Sequence, residues 1–194
     1  LGGPLHSKGV LILSSLIASR YARRTAFSMT ASLVFEQSYG QVEGDSASLA
    51  ELCVILSSLA EIPIRQNLAI TGSINQLGQV QPIGGVNEKI EGFFDICKKQ
   101  GLTGKQGVII PASNIKYLML RWDVVHAAKS KQFHIYAVET VDQALHLLTG
   151  IEPGITNDKA EYPKTSFNGK VTAQLQLFNT IKQELMAADK KKDK

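Results

Sequence analysis

The chain has 194 residues, of which 44% are hydrophobic and 20% are charged, and its formal net charge is +4. These values are typical of a globular domain with its own core, and no apolar run approaches the roughly 20 residues that span a bilayer. Most of the net positive charge lies in residues 157–194, which is more typical of a solvated end than of a nucleic-acid interface, so no nucleic-acid partner is expected.

The two cysteines, Cys53 and Cys97, fall on the apolar faces of predicted helices and are too few for a disulfide framework. Buried free thiols fit a reducing compartment, so we expect a cytoplasmic location. The sequence begins without Met and is expected to be a fragment of a longer protein, which leaves open a membrane anchor outside these residues.

Hydrophobic periodicity predicts helices and strands that alternate along most of the chain. The expected elements, in chain order, are a helix at 7–22, a strand at 26–35, a turn at 39–44, a helix at 46–60, a strand at 67–74 with a hairpin partner at 78–82, a helix at 86–100, a strand at 107–111, helices at 114–119 and 123–130, a strand at 133–138 and a helix at 140–149. Asp45 is expected to cap the helix at 46–60. This alternation predicts one α/β or α+β domain over residues 1–150.

The remaining residues show a different composition. Residues 151–169 contain two prolines and two glycines and are predicted to form a linker. An amphipathic helix is predicted over 170–189, and a disordered basic tail over 190–194. The sequence leaves open whether this helix docks on the domain, on a neighbouring subunit or on another protein.

A short polar stretch around Ser46 opens the helix predicted at 46–60. A turn between a strand and a helix presents a hydroxyl beside unpaired backbone N–H groups, which carry partial positive charge and can stabilise an oxyanion. Gly44 removes a side chain where a substrate backbone would approach. The alternative is that a serine at this place caps the helix or fills space, as most such serines do.

A second candidate residue, Lys89, lies in the first turn of a predicted helix. A lysine with the ordinary pKa of about 10.4 is charged at neutral pH, so it acts as a base only when its pKa is lowered. The helix dipole disfavours an ammonium there, Gly92 lets another segment come close, and Phe93 and Ile96 exclude water. Thr71, at the end of a predicted strand, has a hydroxyl that can orient the amine. The alternative is an ordinary solvated lysine.

Other chemistries have weaker signals in the sequence. Glu43 and Asp45 are spaced like a carboxylate pair, but one is expected to cap a helix and the other to face solvent. The four histidines show neither metal-ligand spacing nor a triad partner, and neither Gly-Lys pair is followed by Ser or Thr as a phosphate-binding loop requires. No metal or cofactor site is therefore expected in this chain.

Two segments resemble motifs of the Lon protease family, in its B-type branch. Residues 35–48, Phe-Glu-Gln-Ser-Tyr-Gly-Gln-Val-Glu-Gly-Asp-Ser-Ala-Ser, are similar to the family's nucleophile motif. Residues 71–90, which end in Gly-Gly-Val-Asn-Glu-Lys-Ile, are similar to its lysine motif. The two segments occur in the family's order and at about its separation. With further similarity at 111–114 and 133–150, the resemblance covers about residues 1–150.

The resemblance implies an α/β (α+β) domain of the Lon protease type. It implies Ser46 as the nucleophile and Lys89 as the general base. It also implies Thr71 as the hydroxyl that positions the lysine, and Glu43 as an acidic residue near the dyad that tunes or blocks the resting site. Full-length members join this domain to an AAA+ ATPase module and assemble as hexameric rings. ATP and Mg²⁺ are therefore implied only for the missing module.

We predict a serine endopeptidase domain that hydrolyses peptide bonds of unfolded proteins with a Ser46–Lys89 dyad. Two other functions stay open at this point. One is a non-catalytic Lon-like domain that serves assembly or binding, because a fold does not by itself fix a function. The other is a small-molecule amidase or esterase with the same dyad, which a preference for small esters over unstructured polypeptide would indicate.

Overall fold

The computed structural model of the chain describes residues 3–23, 25–34 and 43–192. Helices lie at Pro4–Tyr21 (α1), Ser48–Ala60 (α2), Val86–Gln100 (α3), Trp122–Lys129 (α4), Val141–Thr149 (α5) and Phe167–Lys192 (α6). Strands lie at Leu68–Ile70 (β1), Ser73–Ile74 (β2), Val80–Gln81 (β3), Gly107–Pro111 (β4) and His134–Val138 (β5), and a 3₁₀-helix covers Ala112–Tyr117. The predicted mixture of helices and strands in one α/β domain is confirmed.

A parallel three-stranded sheet with the order β1-β4-β5 forms the centre of the domain. Parallel neighbours need crossover connections, which α3 supplies between β1 and β4 and α4 supplies between β4 and β5. Strands β2 and β3 form a separate antiparallel hairpin. At the start of β4, a Cβ on Gly107 would lie 2.7 Å from the carbonyl oxygen of His134, so glycine allows these two strands to approach.

Side chains of β4 alternate between two hydrophobic cores, one on each face of the sheet. Ile109 lies in the larger core, among apolar side chains of α1, α2, α5 and α6. Val108 and Ile110 lie in the smaller core, among those of α3 and α4. All five residues of β4 are buried, as expected for a strand that helices cover on both faces. The ends of these strands therefore offer fixed positions for functional side chains.

The first turns of α6 dock on the domain. Phe167, Val171 and Leu175 are buried in the larger core. Asn168 is fully buried and accepts a hydrogen bond of 2.7 Å from the hydroxyl of Tyr21 in α1. The sequence left three docking partners open for this helix. Its first turns dock on the domain itself.

The bounds of α6 differ from the predicted ones. The helix begins at Phe167, inside the predicted linker, and runs to Lys192, inside the tail that was predicted to be disordered. Phe167, at this start, is fully buried in the larger core, whereas the linker interpretation placed it outside any core. Although α6 is 26 residues long, none of the helices in the described ranges has both the length and the apolar character needed to cross a membrane.

The strand predicted at 26–35 is wrong over the residues that can be compared. Residues 25–34 form no strand in the structure, and residue 35 lies outside the described residues, as does most of the turn predicted at 39–44. The apolar alternation is real, since Phe27 and Met29 pack against the larger core. Their backbone pairs with no strand among the described residues. The apolar alternation here therefore reflects side chains that pack on the core, without hydrogen-bonded pairing to another strand.

The strand predicted at 67–74 is interrupted at Thr71 and Gly72, and it forms β1 and β2 instead. The Thr71 N–H still donates to the carbonyl oxygen of Ile109 at 3.0 Å, continuing the pairing with β4. The Gly72 N–H leaves the sheet and donates to Ser46. The interruption therefore directs the chain toward the candidate nucleophile.

Candidate active site

Ser46 lies in a turn directly before α2, next to the carboxyl end of β1. The Gly72 N–H donates to the Ser46 carbonyl oxygen at 2.9 Å, and the Leu49 N–H donates to the Gly72 carbonyl oxygen at 3.1 Å. A Cβ at Gly72 would lie 2.8 Å from Leu49 Cδ2 and 3.1 Å from Val80 Cγ1, so a larger residue would require these buried side chains to shift. The two backbone bonds fix the position of the Ser46 turn relative to the sheet.

Helix α3 brings Lys89 to Ser46. Lys89 lies in the first turn of α3, which begins after Gly85 in the left-handed conformation with φ of +66°. Lys89 Nζ lies 2.9 Å from Ser46 Oγ and 3.4 Å from Thr71 Oγ1. Thr71 Oγ1 donates to the Ser46 carbonyl oxygen at 3.3 Å. Of the predicted site residues, Ser46, Lys89 and Thr71 therefore have side chains that form one connected group.

The pKa of Lys89 lies below its ordinary value. Desolvation is the larger cause and lowers this pKa, whereas the carboxylate of Asp45 raises it. Lys89 is exposed as a residue, so its desolvation is partial and the site is open to solvent on one side. The positive end of the α3 dipole also disfavours an ammonium in the first turn. A neutral amine at this distance can accept the hydroxyl proton of Ser46, as general-base activation of a serine requires.

The predicted surroundings of Lys89 are partly wrong. Gly92 was expected to admit a second segment, but a Cβ there would meet no atom of the described residues within 4 Å. Ile96 was expected to exclude water, but it is 56% exposed. Phe93 packs against the smaller core. These residues follow Lys89 along α3, whereas the contacts of its amine come from the Ser46 turn and from Thr71 at the end of β1.

Asp45 does not cap α2 as predicted. The helix begins at Ser48, two residues later than expected, and its N-cap residue Ala47 makes no side-chain cap. Asp45 Oδ2 instead accepts a hydrogen bond of 3.0 Å from Ser73 Oγ in β2. This contact holds the carboxylate near the lysine, which explains its effect on the Lys89 pKa.

Glu43 and Gly44 lie just before the Ser46 turn. Glu43 Oε1 accepts a hydrogen bond of 3.3 Å from the Leu5 N–H, in the first turn of α1. A carboxylate there compensates the unpaired amides of the helix start, since α1 has no acidic residue in its own first turn. Gly44 has a φ of +137°, and the nearest atom to a Cβ placed there would be Ser46 Oγ at 4.0 Å. Among the described residues, no atom therefore stands closer than 4.0 Å to the position that a side chain at Gly44 would take.

Sequence reasoning missed two serines that support the site. Ser73 binds Asp45, as described above, and the buried Ser48 Oγ accepts a hydrogen bond of 3.2 Å from the Ile74 N–H. The first bond links the turn before α2 to β2, and the second links the first residue of α2 to β2. The triplet Thr71-Gly72-Ser73 was a usable signal, because a glycine between two hydroxyl residues is a poor strand interior.

The part of the chain that the structure describes contains no group of three His, Cys, Asp or Glu side chains that could hold a metal ion. Around the Lys89 amine, the candidate site offers the hydroxyls of Ser46 and Thr71 and the carboxylate of Asp45. This set is suited to proton transfer and nucleophilic attack.

Comparison with known proteins places these residues in a family. The profile of the Lon protease (S16) C-terminal proteolytic domain matches residues 37–150. A protein of Escherichia coli named "Putative Lon protease homolog" is 50% identical over 151 residues, which cover 78% of this chain and 26% of that protein. A protein of the same name from Haemophilus influenzae is 53% identical over 150 residues, covering 77% and 25%.

An "Archaeal Lon protease" from Thermococcus kodakarensis is 39% identical over 133 residues, covering 69% of this chain and 19% of that protein. The matched segment thus spans about a quarter or less of the length of these relatives.

Proposed function

Because the chain belongs to the Lon protease family and matches its C-terminal proteolytic domain, we propose that it hydrolyses peptide bonds of unfolded proteins as a serine endopeptidase. Ser46 is the nucleophile and Lys89 is the general base. The observation that carries this proposal is the distance of 2.9 Å between Lys89 Nζ and Ser46 Oγ. The lowered pKa of Lys89 supports it, because a base must be neutral to accept a proton.

In the first step, neutral Lys89 accepts the Ser46 proton while the serine oxygen attacks the peptide carbonyl carbon. Thr71 Oγ1 accepts an N–H of the lysine, so the lone pair of the amine stays available to Ser46. The carboxylate of Asp45 opposes this step by favouring the ammonium. Ser73 donates a hydrogen bond to the Asp45 carboxylate. This bond weakens the attraction between the carboxylate and the ammonium form of Lys89.

Backbone amides of the Ser46 turn are the proposed donors to the oxyanion. The Ser48 and Leu49 N–H groups already donate to the carbonyl oxygens of Asp45 and Gly72, at 3.0 and 3.1 Å. Within the described residues, the amides of Ser46 and Ala47 have no backbone partner. We therefore assign oxyanion stabilisation to these two amides, rather than to the first turn of α2 as a whole.

In the second step, the protonated Lys89 gives its proton to the leaving amine and the acyl group stays on Ser46. Water then attacks the acyl-enzyme, with Lys89 again as the base, and Ser46 is released with its proton. One lysine thus serves both half-reactions, and the proposed chemistry needs no cofactor in this chain.

The functions of the whole protein are part of the same proposal, since this chain matches only a fraction of its relatives' length. We propose that an AAA+ ATPase module of the same polypeptide uses ATP and Mg²⁺ to deliver unfolded substrates to Ser46. We propose further that the protein forms a homo-oligomeric ring, a hexamer by family resemblance, and acts in the cytoplasm.

The test is cleavage of a fluorescently labelled, unfolded casein by the 194-residue chain and by matched variants. Ser46→Ala and Lys89→Met remove the two proposed groups. Ser58→Ala and Lys99→Met are the controls, because they make the same changes at exposed positions, in α2 just after the Ser46 turn and in the same helix as Lys89. We expect turnover by the parent and both controls, and none by either site variant.

Cleavage that survives Ser46→Ala or Lys89→Met would contradict the dyad. Hydrolysis of small esters without cleavage of casein would indicate an amidase or esterase instead. A parent chain that binds casein but leaves both substrates intact would indicate a non-catalytic binding domain.

A further inference from the structure

A cavity lies between α1, α2 and residues 27–34, apart from the candidate active site, and its volume is about 540 Å³. Its wall is mostly apolar, and the apolar residues that define it include Val10, Leu13 and Ile17 of α1, Ile55 of α2, and Phe27 and Met29. Ligand-binding cavities in proteins have volumes of about 300–1,000 Å³ and combine such walls with a few polar groups. This cavity has the size and lining for a small organic molecule.

The polar residues in the wall are His6, Ser14 and Glu51. Glu51 is 4% exposed, and among the described residues its Oε1 has no hydrogen-bond partner. His6 Nδ1 lies 3.6 Å from this oxygen, which is beyond hydrogen-bond distance and makes an ion pair only if the imidazole is protonated. A buried carboxylate oxygen without a donor is unfavourable, so the cavity contains an unsatisfied acceptor.

The environment of the cavity changes the pKa of the Glu51 carboxyl group. Desolvation raises the pKa of Glu51, and the nearby His6 lowers it by a smaller amount. Because His6 compensates Glu51 incompletely, a stronger donor that enters the cavity would stabilise the ionised carboxylate. An ammonium group carries a full charge and three donors on one compact head, whereas a hydroxyl carries one donor and no charge.

We propose that the cavity binds a small organic cation, whose ammonium group donates to Glu51 and whose hydrocarbon body lies against the apolar side chains of α1, α2 and residues 27–34. The charge of the ligand complements the buried carboxylate, and its body replaces water along an apolar wall. No residue of the Ser46–Lys89–Thr71 group lines this cavity, so the proposal does not depend on the proposed protease activity.

The test uses n-hexylammonium as the cation and n-hexanol as a probe with the same hydrocarbon chain and no charge. Binding of each probe to the 194-residue chain is measured by isothermal titration calorimetry. We expect saturable binding of hexylammonium at one site and binding of hexanol that is at least tenfold weaker, because only the cation makes a charge-assisted hydrogen bond to Glu51.

Glu51→Gln keeps the shape of the side chain and removes its charge, so it should weaken hexylammonium binding at least tenfold. Glu61→Gln is the matched control, since Glu61 is an exposed glutamate at the end of the same helix and should leave binding unchanged. Circular dichroism of both variants checks that they fold. Equal affinity of Glu51→Gln and the parent, or equal affinity of the two probes, would overturn the proposal.

An independent measurement does not rely on the variant. Intermolecular nuclear Overhauser effects between hexylammonium and selectively labelled methyl groups report where the ligand lies. We expect contacts with the methyl groups of Met29 and Ile55, which line the cavity. Contacts confined to other methyl groups would show binding elsewhere and would equally overturn the proposal.

Discussion

Replacing Thr71 by valine would remove one hydroxyl from the proposed site and keep the size and branching of the side chain. Thr71 is buried, and its Oγ1 accepts from Lys89 Nζ at 3.4 Å and donates to the Ser46 carbonyl oxygen at 3.3 Å. A hydrogen bond contributes about 0.5–1.5 kcal/mol net, and these two are long, so we assign them about 1–2 kcal/mol together. If both act in orienting the amine, kcat falls about 5- to 30-fold.

The assay is steady-state cleavage of a fluorogenic peptide by the parent, Thr71→Val and Thr71→Ser. We expect kcat to fall in the valine variant with little change in KM, and the serine variant to retain most of the activity because it restores the hydroxyl. Thr180→Val is the control, since the Thr180 hydroxyl is exposed and bonds only within α6. A valine variant with a kcat within twofold of the parent would refute the positioning role of Thr71.

Three further predictions concern different parts of the molecule. The kcat/KM for peptide cleavage should rise with pH at values below the ordinary lysine pKa of about 10.4, because the pKa of Lys89 is lowered and its neutral form gains population at those pH values. A flat kcat/KM profile would contradict this. Gly72→Ala should lower the free energy of unfolding in urea by about 1–3 kcal/mol, because its methyl would lie 2.8 Å from Leu49 Cδ2; unchanged stability contradicts this. Asn168→Ala should cost about 1–3 kcal/mol in thermal unfolding, because it leaves the buried Tyr21 hydroxyl without its acceptor; an unchanged melting temperature contradicts this.

Elements with strong local signals could be predicted from the sequence. The bounds of α3 and β4 agree with the prediction residue for residue. A regular apolar face and the glycine directly after its last residue, Gly101, mark α3, and a run of buried apolar residues that ends in Pro111 marks β4. In these segments, burial, backbone propensity and the end signal favour the same structure.

Elements that depend on a distant partner could not be predicted. The apolar alternation at 26–34 is the same whether the backbone joins a sheet or only buries side chains, and no local signal distinguishes the two. Asp45 has the sequence position of a cap, but Ser73 takes its carboxylate. The docking of α6 depends on the buried side-chain amide of Asn168, which accepts a hydrogen bond from the Tyr21 hydroxyl. This bond joins α6 to α1, far apart in the sequence.

The candidate site divides in the same way. The sequence indicates Ser46 and Lys89 by their positions at two helix starts, but it gives no distance between them. The contact depends on the Gly72 bonds that fix the Ser46 turn and on the packing of α3 against β4, the strand that pairs with β1. The surroundings of Lys89 were expected along its own helix, whereas its amine meets Ser46 and Thr71.

The most direct test of the proposed dyad is the mass of the intact chain after reaction with a fluorophosphonate, which labels only activated serines. We expect one adduct, mapped to Ser46 by peptide sequencing. We also expect a labelling rate that falls at least a hundredfold in Lys89→Met, while Lys99→Met reacts like the parent. An adduct on another serine, or equal labelling of Ser46 without the lysine, would contradict the claim that Lys89 activates Ser46.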